Sequence, residues 1–327
     1  MVSSSAASAP LASRCRRPRR SVTRRSAPLA CACLVWLHVT AGHAEDPSRV
    51  EWSSDWPRYR SGEAFATGLL ASQIAMAGLV YSQPERNWRG GVLFDDAVRD
   101  ALRLHTHDAR EQARSVSDKV YLYLGVFPLV VDNLIVTWAI HGSGDVALEM
   151  LGMNLESYAL TGAIVLTAQK VGRERPAARG CVDDPEYSPK CHSEVGLTES
   201  FFSGHTAVNF TAAGLICAHH QHLPLYGGGV PDVAICIAGL TAATAQGALR
   251  IMTDDHYSTD VLVGVTVGVF SGYVLPHLLH YGFGGEGERG KGLLPTFTSN
   301  AGGVPLQAVL APAIDAHYLG LNLVGVY

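Results

Sequence analysis

The feature that most constrains the fold of this chain is a series of long apolar segments rich in small residues. They cover residues 63–81, 119–141, 146–170, 205–223, 232–251 and 257–279. Apolar runs of about 20 residues exceed the ordinary length of a strand, and therefore predict helices. We expect an all-α fold built from six such helices.

The sequence leaves open whether these helices cross a bilayer. Several are long enough to span one, at about 20 residues. Yet Asp132, Arg250 and the trio His219, His220 and His222 lie in or at the ends of the segments. A soluble domain with a fully buried core helix gives the same pattern. The histidine trio sits at the far end of its segment and predicts a solvated helix cap rather than a metal site.

The first 44 residues differ from the rest of the chain. Several arginines precede a short apolar run that ends in the small-residue sequence AGHA. This layout predicts a secretory signal peptide over residues 1–44, and hence export to the cell envelope, either in the membrane or soluble in the periplasm. The alternative is a basic tail followed by an uncleaved anchor. The net charge of −4 argues against a nucleic-acid partner.

Composition divides the remainder into four parts. A polar N-terminal segment covers residues 45–62, and the helical domain covers residues 63–281. A glycine-rich linker over residues 282–292 follows. Residues 293–327 then change to strand-favouring residues with turn-forming glycines, which predicts a small C-terminal β appendage.

The cysteines suggest one disulfide bond. Cys181 and Cys191 flank a polar, proline-containing loop and would form a plausible pair in an exported protein, with free thiols as the alternative. Cys217 and Cys236 lie in apolar segments, where we expect them to be small buried hydrophobic residues. Because no CxxC or Cys/His pattern is present, no metal site is predicted.

Two polar patches occur where apolar segments end or begin. The stretch KVGRERP contains Lys170, Arg173 and Arg175, and cations are favourable at a helix C-terminus whether or not they bind a ligand. In FFSGHTAVNF, Ser203 and Gly204 precede a predicted helix. Serine is an ordinary N-cap, but free N–H groups at a helix start also attract an anion.

A third patch, LRIMTDDHYSTD, has the most informative spacing. His256 lies six residues after Arg250, and Asp260 lies four residues after His256. If the last two residues shared a helical face, the carboxylate would orient the imidazole and leave its other nitrogen free. A guanidinium nearby would bind a phosphate bidentately.

Together these patches resemble the three-part signature of the type 2 phosphatidic acid phosphatase superfamily, which includes bacterial class A acid phosphatases and vanadium haloperoxidases. The matching elements are the RP pair at Arg175 and Pro176, the SGH stretch at 203–205, and Arg250, His256 and Asp260. The resemblance covers residues 63–279. It implies a six-helix bundle of the acid phosphatase/vanadium haloperoxidase type.

The resemblance also implies a role for each matching residue. His256 would attack phosphorus while Asp260 holds its ring, and His205 would protonate the leaving oxygen and then activate water. Arg175, Arg250, Ser203 and the amide of Gly204 would bind the phosphoryl oxygens. No cofactor is implied for a phosphatase, and vanadate would enter only in a haloperoxidase.

The sequence departs from the family signature at two positions. The first part of that signature usually begins with a lysine seven residues before the arginine, and Ala168 occupies this position. Lys170 or Arg173 would then have to supply the missing charge for phosphate. The proline usual before Ser-Gly-His is Phe202, which affects only the turn.

We therefore expect a phosphatase that hydrolyses phosphate monoesters or pyrophosphates through a phosphohistidine, with lipid phosphates as favoured substrates if the helices lie in a membrane. Three alternatives stay open. They are a soluble periplasmic acid phosphatase, a vanadium-dependent haloperoxidase, and a catalytically inactive membrane scaffold in which Ala168 marks a decayed site.

Overall fold

The computed structural model describes residues 49–79 and 85–282, together with the backbone of residues 307–315 and 318–326. The described chain is mostly helical. Its α-helices are α1 (Ser61–Leu79), α2 (Asp95–Leu102), α3 (His107–Phe127), α4 (Gly144–Gln169), α5 (Ala178–Cys181), α6 (Glu194–Thr198), α7 (Gly204–His222), α8 (Val230–Met252) and α9 (Ser258–Val269).

Two of these helices continue into wider π-helical turns. Pro128–Ile140 extends α3, and Phe270–Val274 and His277–Tyr281 extend α9. Pro128 begins the first π segment because proline lacks the N–H that an α-helix needs at that position. A single 3₁₀ turn, Pro189–His192, lies between α5 and α6.

Each of the six long predicted segments overlaps a long helix of the structure. The main difference concerns residues 94–118, a charged, helix-favouring stretch that predicts a solvated or interfacial helix. It forms α2 and the first half of α3. Polar residues of this stretch are buried, including Asp95, Arg99 and Arg114. The bundle geometry of the acid phosphatase type stays a prediction.

Helix α7 is the most buried of the long helices. Ala212, Ala213, Leu215 and Ile216 are almost completely shielded from solvent, and α7 packs against α3, α4, α8 and α9. A helix with apolar residues around its whole circumference belongs in such a position. Its first turn is therefore fixed from several sides.

Helix α9 approaches α7 closely along three glycines, four residues apart. A methyl group at Gly264 would lie 2.8 Å from the carbonyl oxygen of Ser203. Methyl groups at Gly268 and Gly272 would collide with the carbonyl oxygens of Ala207 and Thr211. The absence of side chains on this face lets the two backbones touch, so the start of α9 is held in register with the start of α7.

Both pairs of cysteines form disulfide bonds. Cys181 is bonded to Cys191, as predicted. Cys217 of α7 is bonded to Cys236 of α8, with the two Cα atoms 4.6 Å apart, so the expectation of free buried thiols is wrong here. Their separation of 19 residues carries no pairing signal until two helices are known to pack side by side.

The histidine trio is also not a solvated cap. His219 and His220 are buried, which corrects that prediction. His219 bonds to the hydroxyl of Tyr281 and the amide of Asn154, whereas His220 bonds to Asp232 and lies 3.4 Å from Asp132. Polar partners on four other segments make this cluster part of the core.

Within the described residues, three helical stretches are long and apolar enough to cross a membrane, namely 107–140, 230–252 and 258–281. Large apolar side chains point outward from the first two, among them Trp138, Ile237 and Leu240. Such a surface is compatible with membrane embedding.

Near the C-terminus the backbone forms two strands, β1 (Gln307–Asp315) and β2 (Tyr318–Val326). They pair antiparallel, with Gln307 opposite Val326 and Asp315 opposite Tyr318. The predicted appendage stays a prediction, since nothing is described of its side chains. The predicted signal peptide and most of the predicted linker lie outside the described residues.

Candidate active site

The loop between α8 and α9, residues 253–257, positions the third signature patch. Arg250 lies in the last turn of α8, and α9 begins only at Ser258. His256 is therefore not on a helix with Asp260, as the four-residue spacing had suggested. Within this loop Asp254 adopts a left-handed backbone with φ of 63°, a conformation that aspartate tolerates better than most residues.

Two side chains fix Asp254 in this unusual conformation. The guanidinium of Arg99 on α2 donates to both of its carboxylate oxygens, at 2.6 and 2.7 Å. The hydroxyl of Tyr187 donates to it at 3.0 Å. The loop that carries His256 is thus anchored to α2 and to the disulfide-bonded segment.

The ring of His256 is oriented by hydrogen bonds on both nitrogens. Its Nδ1 lies 2.8 Å from the backbone carbonyl oxygen of Ser200, which only accepts, so Nδ1 must carry the proton. Its Nε2 lies 3.0 Å from Nη1 of Arg175, which only donates. Nε2 of a neutral His256 therefore carries a lone pair.

The surroundings also keep His256 neutral. The side chain is buried, and burial together with the charges of Arg175 and Arg250 lowers its pKa well below the ordinary value. An unprotonated imidazole, with its lone pair beside a guanidinium, has the chemical properties that a nucleophile toward a bound anion needs.

Asp260 does not contact this ring, which corrects the role inferred for it. Its carboxylate pairs with Nη1 of Arg173 at 2.5 Å and accepts from the hydroxyl of Ser200 at 2.6 Å. It also accepts from the backbone N–H of Tyr257 and so caps α9. Its influence on His256 passes through Ser200, whose carbonyl orients the ring.

The two signature arginines reach the loop from different directions. Arg175 donates from Nε to the carbonyl oxygen of Gly196 at 2.5 Å, and from Nη1 to that of Asp255 at 2.9 Å. Arg250 pairs with Asp255 at 3.2 Å and with Asp118 of α3 at 3.3 Å. Both guanidiniums are nearly inaccessible to solvent, and both act on His256.

Asp255 is an essential part of this arrangement that sequence reasoning missed. It is fully buried and pairs with Arg250 and with Arg114 of α3. Although burial alone would raise it, these guanidiniums hold the pKa of Asp255 well below its ordinary value. In the sequence, Asp255 is visible only as the second aspartate of the Asp-Asp pair that precedes His256.

His205 stands at the start of α7, with Ser203 as its N-cap. The hydroxyl of Ser203 accepts from the N–H of Thr206 at 3.4 Å, so the ordinary capping role is present. About a third of the His205 side chain is exposed, at 34%, and its Nε2 lies 3.5 Å from Asp118. Gly204 packs on Val165, where a methyl group would come within 3.0 Å.

The same charged residues influence His205 and His256. Burial and the charge of Arg250 lower the pKa of His205 to about 3, with Arg175 and Lys190 acting in the same direction. Both histidines thus lie within the field of Arg175, Arg250 and Asp255. The structure brings the three signature patches to one place.

Arg173 and Lys170 behave differently from these residues. Arg173 is fully buried, pairs with Asp260 and Asp95, and stacks on the ring of Trp88 at 4.0 Å. Its guanidinium is committed to the fold, which corrects the expectation that Arg173 binds phosphate. Lys170 is exposed at the end of α4.

Comparison with known protein families gave a match over part of the chain. The model of the PAP2 superfamily matches residues 149–283, a range that contains all three signature patches. Neither the curated proteins nor the solved structures gave a significant match. The match supports, in general terms, phosphatase activity on phosphate esters. The match over residues 149–283 therefore confirms the resemblance of this part of the chain to the PAP2 superfamily.

Proposed function

We propose that this protein hydrolyses phosphate monoesters or pyrophosphates through a covalent phosphohistidine on Nε2 of His256. The observation that carries the proposal is the fixed tautomer of that ring. Nδ1–H donates to the carbonyl of Ser200, and the lone pair of Nε2 lies beside the guanidinium of Arg175.

The first chemical step transfers the phosphoryl group to the protein. The lone pair of Nε2 forms a bond to phosphorus as the bond from phosphorus to the leaving oxygen breaks. Arg175 and Arg250 neutralise the negative charge on the phosphoryl oxygens, the electrostatic contribution that dominates phosphoryl transfer. His205 gives its proton to the leaving oxygen.

The second step returns the histidine to its free state. Water attacks phosphorus, His205 takes the proton of that water, and the bond from phosphorus to Nε2 breaks. Inorganic phosphate leaves, and His205 is protonated again for the next cycle.

His205 needs bound substrate in order to act as an acid. In the free protein its pKa is lowered to about 3, partly by the charges of Arg250, Arg175 and Lys190. A bound phosphate dianion offsets those charges and raises the pKa of His205 toward the range where it carries a proton. Substrate binding thus favours the protonated form of His205, which then donates its proton to the leaving oxygen.

A lipid substrate is favoured by the position of the site. Arg250 lies at the end of α8 and His256 just before α9, two of the helices that are long enough to span a membrane. If these helices cross a bilayer, their ends lie at the level of the lipid headgroups. The proposed signal peptide and two disulfide bonds favour an exported protein with its site in an oxidising compartment.

The test measures phosphate release from a short-chain phosphatidic acid in detergent micelles and from p-nitrophenyl phosphate in solution. We expect His256→Asn to abolish release from both. In His205→Ala, p-nitrophenyl phosphate should still phosphorylate the protein slowly and release p-nitrophenolate, because that leaving group needs no acid, whereas the lipid phosphate should not phosphorylate the protein. His107→Ala is the matched control, because that histidine is exposed at the start of α3.

Equal losses of phosphoenzyme formation from both substrates in His205→Ala would contradict its role as an acid. Full activity in His256→Asn would reject the covalent mechanism. Turnover of the soluble ester alone would reject the lipid substrate while keeping the phosphatase.

A further inference from the structure

Lys190 lies in the disulfide loop (residues 181–191), which the sequence signature does not include. It is the second residue of the 3₁₀ turn Pro189–His192. Its aliphatic stem lies beside Gly196, because a methyl group at Gly196 would come 3.1 Å from Cδ of Lys190. Gly196 is also the residue whose carbonyl oxygen accepts from Nε of Arg175. Lys190 and Arg175 therefore flank the same short helix.

The ammonium of Lys190 shares the electrostatic environment of the active site. Burial lowers its pKa, and the positive charges of Arg175 and Arg250 lower it further, while Asp255 and Glu199 act in the opposite direction. In the described part of the chain no carboxylate forms an ion pair with it. Lys190 is thus a half-buried cation within the electrostatic field of both signature arginines, and a bound anion would stabilise its charged form.

The disulfide loop is anchored to the same residues that carry His256. The hydroxyl of Tyr187 donates to Asp254 at 3.0 Å, and the guanidinium of Arg110 stacks on the Tyr187 ring at 3.8 Å. Arg114, which binds Asp255, also lies 3.4 Å from the hydroxyl of Ser188. The bond from Cys181 to Cys191 closes the loop directly beside Lys190.

A lysine is missing from the position where the family signature would supply one. Ala168 packs in an apolar cluster with Val165 and Phe202, so no charge reaches the site from that position. Arg173 is occupied by two carboxylates. Neither position therefore supplies a cation to a bound phosphate.

We propose that Lys190 binds the phosphoryl group of the substrate, and that the Cys181–Cys191 disulfide holds it in position to do so. This inference rests on the proposed function for its ligand, a phosphate dianion. It makes phosphate affinity dependent on the redox state of one disulfide bond. Reduction would free the loop and withdraw one cation from the site.

The test uses inorganic phosphate as the probe and isothermal titration calorimetry on the full chain with His256→Asn, so that binding is read without turnover. We expect Lys190→Met to weaken phosphate binding by roughly 10- to 100-fold, the loss expected for one charge-assisted hydrogen bond. Lys190→Arg should restore most of the affinity. Lys119→Met, a change of an exposed lysine on α3, should leave it unchanged.

A second arm addresses the disulfide. Cys181→Ser combined with Cys191→Ser should weaken binding in the same way, and adding Lys190→Met should then have little further effect, because both changes remove one contact. The matched control combines Cys217→Ser with Cys236→Ser, which removes the α7–α8 bond and should keep phosphate affinity. Melting temperatures confirm that each variant is folded.

Phosphate binding that is absent from the His256→Asn protein, or equal in Lys190→Met, would overturn the proposal. Full affinity without the Cys181–Cys191 bond would overturn its redox part. The proposed function is tested separately from this inference. A chain that binds phosphate through Lys190 but hydrolyses no ester would support the inference and contradict the proposed phosphatase activity.

Discussion

At the scale of single residues, the tautomer of His256 decides what the site can do. A carbonyl oxygen on Nδ1 gives the same tautomer that a carboxylate would give, a ring whose Nε2 carries the lone pair. The difference is that a neutral carbonyl stabilises a protonated ring less than a carboxylate would. The structure therefore favours a histidine that is a nucleophile rather than a proton carrier.

The protonation state of His256 gives a direct prediction. Because burial and two guanidiniums lower its pKa, the ring stays neutral as the pH falls below the ordinary histidine value of about 6.5. Nitrogen-15 NMR of the imidazole should show the Nδ1–H tautomer at pH 6 and protonation only at lower pH. The spectrum of His256→Asn assigns the signals.

Replacing one of the guanidiniums tests the cause of this pKa. Arg175→Gln should raise the pH at which His256 becomes protonated, since one positive charge and one hydrogen bond to Nε2 are lost. Arg58→Gln is the control, because Arg58 is largely exposed and pairs with Glu149. A ring that is fully protonated at pH 6 in the unchanged protein would contradict the proposed nucleophile.

The site residues show how far a sequence can predict contacts. The spacing of Arg250 and His256 and the Ser-Gly-His stretch identified residues that meet in the structure. The pairing of His256 with Asp260 was wrong because the four-residue rule holds only within one helix, and α9 begins after His256. Asp255 and Lys190 were missed because their roles depend on contacts between distant segments.

At the scale of elements, Asp95 joins α2 to the start of α9. Its carboxylate accepts from the hydroxyl of Ser258, from the N–H of Thr259 and from Arg173. It thereby occupies the N-terminus of α9, where a negative charge is favourable. The sequence showed only a charged helix, because burial of an acidic side chain has no periodic signal.

The contacts of Asp95 predict a loss of stability in Asp95→Asn. We expect about 3 kcal/mol lower free energy of unfolding at pH 7, the usual cost of breaking a buried ion pair. Urea unfolding measures it. Asp100→Asn is the matched control on α2, because the Asp100 side chain is 66% exposed. Equal midpoints for the two variants would show that Asp95 is dispensable for the fold.

The same contacts fix the sign of a pH effect. Hydrogen bonds from Val92, Ser258 and Thr259 lower the pKa of Asp95 to about 2, although burial opposes them. The stabilisation is present above the unfolded value of about 4 and is lost as the pH falls toward 2. The difference between the unchanged protein and Asp95→Asn should shrink over that range. A constant difference would contradict the ionised state.

At the scale of the whole molecule, the helices could be predicted and their mutual arrangement could not. Runs of apolar residues identified the long helices, because burial of an entire helix leaves a continuous signal. The approach of α9 to α7 depends on three glycines that face one backbone, and the bond from Cys217 to Cys236 depends on which helices are neighbours. Contacts of this kind can be identified only when the packing of the helices is known.

The central claim is that Nε2 of His256 attacks phosphorus. Acid quenching is avoided, and the protein is denatured in alkali during turnover of a phosphate ester, because a bond from phosphorus to nitrogen is labile in acid. Phosphorus NMR and mass spectrometry of the digested peptide then identify the residue and the ring nitrogen. We predict phosphate on Nε2 of His256, absent from His256→Asn. Phosphate on Nδ1, on another residue, or nowhere during active turnover would contradict the account.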